Sequence, residues 1–94
     1  MNVKIDAAAL SPMLGRTDVY NALLDALQER RGDHESAGVL KLRLKRALQG
    51  RPLAVRVVNA DRRVPAEMAF IERTLREVHP SPTMSVEGSP SVAA

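Results

Sequence analysis

One segment limits the architectures open to this chain more than any other. Leu53-Ala54-Val55-Arg56-Val57-Val58 combines β-branched residues with an alternation of Leu53, Val55 and Val57, which is the period of a strand, and Asn59-Ala60-Asp61 closes it. A strand cannot stand alone, because each backbone N–H and C=O needs a ladder partner. Three sources are open from sequence: residues 39–45 as a hairpin arm, Val3 to Ile5 as an edge strand, or a second copy of the chain.

The segment before it reads two ways. Leu40-Lys41-Leu42-Arg43-Leu44-Lys45 alternates like a strand, yet Leu, Lys and Arg are good helix formers. Ala37, Leu40, Leu44 and Leu48 also form a helical stripe. Ser36 supplies a cap, and Gly50 followed by Pro52 is a stop signal, which favours a helix over 36–49. On that reading the hairpin arm is lost.

Two further helices are expected. Thr17 or Asp18 caps a helix over 18–31, in which Val19, Tyr20, Leu23, Leu24 and Leu27 recur at helical spacing before Gly32. A helix over 66–79 begins at Pro65, with Glu67 at its positive end, and carries Met68, Ile71, Leu75 and Val78 on one face. His79-Pro80 ends it. Glu72 and Arg76 are spaced for an i,i+4 pair.

The ends are less structured in outline. Asn2 to Asp6 reads as a short edge strand within an N-terminal arm of residues 1–16, and Ser11-Pro12 as the opening of a helical turn. From Pro80 to Ala94 three prolines, four serines and a glycine show no apolar period, and the expectation is a disordered tail over 80–94. The whole is a helix-rich α+β single domain folded over 17–79, the alternative being an all-α helical hairpin with a C-terminal helix.

Charge is distributed unevenly. Lys41, Arg43, Lys45, Arg46, Arg51, Arg56, Arg62 and Arg63 face one acid, Asp61, within residues 41–63, so this stretch carries +7 and the remainder −4. Such a field attracts an acidic protein surface or phosphates. No aromatic residue lies inside it to stack on bases, although a helix-turn-helix pair over 18–31 and 36–49 would present Lys41, Lys45 and Arg46 to DNA.

Several chemistries are excluded or disfavoured. The chain has no cysteine, which removes disulfides, thiolate metal sites and a cysteine nucleophile. His34 and His79 are 45 positions apart and read as surface or capping residues; Glu67, Glu72 and Glu77 read as exposed charges on one helix. No nucleotide-loop, zinc or nucleophile-elbow motif occurs, so neither catalysis nor a metal or other cofactor is expected. No apolar run is long enough to span a bilayer and no secretory signal is present, which points to the cytoplasm.

Size then suggests a function. Folded units below about 70–80 residues are commonly helped by disulfides, metals or oligomerisation. With the first two absent, Leu23, Leu27, Met68, Ile71 and Leu75 are expected to be core or contact residues of a small non-enzymatic adaptor or regulator. Its partner would be another protein or its own copy as a homodimer, with the basic segment recognising an acidic surface. The alternative is a small DNA- or RNA-binding regulator with the same cations on phosphates.

Overall fold

A computed structural model of the chain describes residues 1–29 and 35–88. Three strands form one parallel sheet in the order β1 (Asn2–Asp6), β2 (Ala54–Val58), β3 (Thr83–Val86). Three α-helices connect them: α1 (Arg16–Ala26) and α2 (Ala37–Leu48) between β1 and β2, and α3 (Pro65–Val78) between β2 and β3. Single 3₁₀ turns follow β1 at Ala7–Ala9 and β2 at Ala60–Arg62. The fold is helix-rich α+β, and the three strands set aside the all-α alternative.

The ladder partner of β2 is β1, with Val3 beside Val55 and Ile5 beside Val57. The expected edge strand therefore exists, and the expected helix over 36–49 also holds as α2. Ser36 Oγ accepts the Val39 N–H at 3.3 Å, and Gly50 takes a positive φ of 73° where the chain leaves the helix.

The second partner of β2 was not expected. Thr83–Val86 lies inside the stretch read as a disordered tail, yet it pairs with 54–57 in register. Its polar–apolar alternation runs for only four residues amid prolines and serines, too short to announce a strand; the neighbouring β2 backbone supplies the ladder. Residues 89–94 of the expected tail lie outside the described residues.

All three helices cover the same side of the sheet. Val3, Ile5, Val55 and Val57 join Val19, Leu23, Leu24, Leu40, Leu44, Leu48, Ile71 and Leu75 in one buried cluster. On the opposite side Asn2, Lys4, Arg56, Thr83 and Ser85 are exposed. Strands that advance in one direction, 1-2-3, with crossovers of one hand stack their helices on one face. Parallel sheets are usually covered on both faces; here the second face is polar, and no described element covers it.

Boundaries differ at two helix starts and one helix end. Neither Thr17 nor Asp18 is the cap of α1: Gly15 is, and Asp18 Oδ2 accepts the Gly15 N–H at 2.7 Å. The same device starts α3, where Glu67 Oε1 accepts the Val64 N–H at 3.0 Å. Ser11-Pro12 opens no helix. At its other end α1 stops at Ala26 and not at Arg31. The Gln28 N–H donates to Asp25 C=O and the Glu29 N–H to Leu24 C=O, the paired bonds of a Schellman ending, with Gln28 at φ 58°. The expected stop at Gly32 lies outside the described residues, as does His34.

Candidate functional site

The eight cations of residues 41–63 do not form one patch. The fold sorts them into two groups, according to what each side chain meets.

Four are engaged within the chain. Arg63 is the most committed, with its side chain 8% exposed. Its guanidinium donates to Ala7 C=O at 3.0 Å, to Leu10 C=O, and to Glu67 Oε2 at 2.9 Å. Those carbonyls belong to the turn after β1, so Arg63 fastens β1's exit to the start of α3. It answers a structural need and presents no free face to a phosphate. Arg43 pairs with Glu35 at 3.0 Å. Arg56, on the bare sheet face, pairs with Glu87. Lys41 leans towards Glu77 at 3.9 Å.

Glu77 corrects the reading of three exposed carboxylates on α3. It accepts a hydrogen bond from Tyr20 Oη at 3.3 Å and has Arg16 at 3.9 Å, so it joins α1, α2 and α3 at one point. Tyr20 is fully buried; burial first, and then the Glu77 carboxylate, push its phenol above the usual tyrosine range, while Arg16 opposes them. Glu67 is likewise engaged: its bonds from Val64 N–H and then Arg63 hold its carboxyl below the ordinary value. Only Glu72 behaves as read, pairing with Arg76 at 2.7 Å.

His79 is buried at the C-cap of α3, so the capping reading holds and the surface one does not. Its Nδ1 accepts the Ser81 N–H at 3.0 Å, so the proton sits on Nε2, which donates to Arg51 C=O. The ring thereby ties the end of α3 to the loop before β2. A second hydrogen-bonded corner forms where β1 and β2 end: Asn59, at φ 57°, donates from Nδ2 to Asp6 Oδ1 at 2.8 Å. With the Ala8 N–H on the same oxygen, these bonds hold the Asp6 carboxyl below its usual range, Asn59 contributing most.

Lys45, Arg46, Arg51 and Arg62 are exposed and make no ion pair among the described residues. Lys45 and Arg46 stand on the last turns of α2, where cations suit the helix dipole. Together with Arg51 they border a groove of ≈ 660 Å³ between the ends of α2 and α3.

The apolar residues singled out from sequence are core. Leu23, Ile71 and Leu75 are 0% exposed, and Leu27 and Met68 are partly buried against the same cluster. The chain packs these faces against its own sheet and helices. Sequence reasoning instead passed over the outer face of α2. Val39 is 49% and Leu42 52% exposed, one turn apart, and they line a hollow of ≈ 450 Å³ with Glu29, Arg43, Arg46 and Ala47. The signal was present: a stripe of residues 37, 40, 44 and 48 leaves Leu42 on the wrong side of the helix.

Among the described residues no group of three or more His, Asp or Glu side chains is placed to hold a metal ion, and no helix is long and apolar enough to cross a membrane. No family model, curated relative or solved structure matches the chain.

Proposed function

We propose that this chain is a small non-enzymatic adaptor or regulator, acting in the cytoplasm, that binds another protein through the outer face of α2. The observation that carries the reading is the half-exposed pair Val39 and Leu42 beside Arg46. The inward side of α2 already supplies Leu40, Leu44 and Leu48 to the core, so folding makes no demand on a second apolar strip. Residues 41–51 carry five cations and no acid. The complementary partner is an acidic amphipathic segment, whose apolar side chains cover Val39 and Leu42 while its carboxylates meet Lys45, Arg46 and Arg51. Those cations set encounter rate and partner choice, and the apolar contact sets lifetime.

Binding to nucleic acid receives less support. Half of the basic segment is spent on internal partners, and the outer face of α2 carries Val39 and Leu42 where a groove-reading helix carries hydrogen-bonding side chains. The connection between the two helices, with ten positions between Ala26 and Ala37, is also longer than the short turn of a helix-turn-helix pair.

Fluorescence anisotropy with a labelled Leu/Glu amphipathic peptide, its Glu→Gln analogue and a short DNA duplex tests the proposal. The acidic peptide should bind, weaken with added salt, and lose affinity on Leu42→Asp. Tight binding of the duplex alone, or peptide binding indifferent to Leu42→Asp, contradicts it.

A further inference from the structure

The parallel sheet ends in two edges, and they are built differently. Thr83 donates its N–H to Leu53 C=O at 2.9 Å and Glu87 its N–H to Val57 C=O at 2.8 Å. Backbone groups alternate sides along a strand, so Met84 and Val86 turn their N–H and C=O groups outward from β3. Among the described residues nothing meets them there. Their side chains lie on the helix side, in register with Val55 and Val57. Val86 is nevertheless 50% exposed, because among the described residues no element lies beyond β3 to cover it.

Natural sheets guard such edges by keeping the strand short, as β3 is, and often also with charge or proline within it. Thr83-Met84-Ser85-Val86 has neither; Pro82 only marks where a ladder would stop. The β1 edge is guarded: Asn2, Lys4 and Asp6 lie along it, and a twofold axis placed at its centre would set Lys4 against Lys4 of the other copy.

We infer that the β3 edge is a self-association surface, where a second copy of this chain adds its own β3 antiparallel about a twofold axis at Ser85 to give a continuous six-stranded sheet. In that register Met84 of each protomer faces Val86 of the other as a hydrogen-bonded pair, so four backbone bonds close and every outward group of the two strands is used. The half-exposed Val86 gains an apolar neighbour. Ser85 meets its symmetry mate on the bare face, and no like charges are opposed. An extended peptide would satisfy the same backbone groups; a second copy is favoured because it also sets Met84 beside Val86 on the helix side and opposes no charges within the paired strands. This inference does not depend on the α2 proposal, because the two surfaces share no residue.

Sedimentation of the full chain over a wide concentration range tests it, with three variants. Wild type should pass from monomer to dimer as concentration rises. Val86→Pro removes an outward N–H that the monomer does not use, and should weaken the dimer about tenfold or more while circular dichroism stays unchanged. Ser85→Lys, which places like charges across the axis on the solvent face, should do the same and covers the case in which the proline variant misfolds. Ser85→Cys, in a chain otherwise free of cysteine, should cross-link as a dimer under mild oxidation, because facing residues of that pair type lie about 4.5 Å apart at Cα, within disulfide range. Asn2→Cys on the opposite edge should not. A wild type that stays monomeric up to millimolar concentration, or a dimer indifferent to Val86→Pro and Ser85→Lys, overturns the inference.

Discussion

Residues 40–45 and 53–58 carry the same alternating pattern and do opposite things with it. In β2 successive side chains point to opposite faces, so alternation separates the residues cleanly: Val55 and Val57 are buried, and Arg56 is exposed. In α2 each residue turns about 100°, so a step of two carries a side chain roughly 200° round the axis. Leu40 and Leu44 therefore enter the core while Leu42, midway between them, faces water at 52% exposure. One pattern makes a one-sided strand and a two-sided helix. The surplus apolar strip in α2, Val39 and Leu42, is the surface we propose for association.

The largest test of this contrast is in the core. Leu44→Ala should destabilise the fold by about 2–5 kcal/mol, measured by urea denaturation, since Leu44 is wholly enclosed by sheet and helices. Arg63→Ala comes next, at about 1–3 kcal/mol, because it strips donors from two backbone carbonyls near the end of β1. It sharpens the comparison by showing that a cation of the basic segment can matter more to folding than to a partner.

A smaller loss follows Glu67→Ala, and it depends on pH. The folded carboxyl titrates below its ordinary value of 4.5. Its stabilisation is complete above that value and is lost as pH falls through the depressed one. The gap in melting temperature between wild type and Glu67→Ala should be open at neutral pH and close in strong acid.

Gln28→Gly runs the other way. Gln28 holds the left-handed position of the Schellman ending, where a side chain is strained. The variant should gain about 0.5–1 kcal/mol and a few degrees in melting temperature. Arg56→Ala, on the bare face of β2, is the smallest change, within about 0.5 kcal/mol, because its ion pair with Glu87 is open to solvent. A large loss there would break the claim that only one face of the strand carries stability.

Much of this fold was legible because its signals are local. Ser36 and Gly50 bracket α2, Pro65 opens α3, and the alternation of Val55 and Val57 marks β2. What stayed hidden depends on distant partners. Thr83–Val86 alternates polar and apolar over only four residues amid prolines and serines, too short a run to announce a strand, and it pairs along the edge of β2. Gly32 looked like the end of α1, but the terminating geometry falls on Gln28, a residue type with no preference for it. Arg63 resembles the other arginines in sequence; only its i,i+4 spacing to Glu67 hinted that it turns inward. The candidate surface was half visible: the cations could be counted, but which of them remain free was decided by Glu35, Glu67, Glu77 and Glu87, all outside the segment.

The most direct measurement compares Leu42→Asp with Leu44→Asp, two substitutions a single residue apart from a shared neighbour on one helix. Each variant would be followed by urea denaturation and by anisotropy with the acidic amphipathic peptide. Leu44→Asp should unfold the chain, whereas Leu42→Asp should keep the wild-type midpoint and lose the peptide. If Leu42→Asp unfolds the protein as Leu44→Asp does, or binds as wild type does, the outer face of α2 is not the surface described.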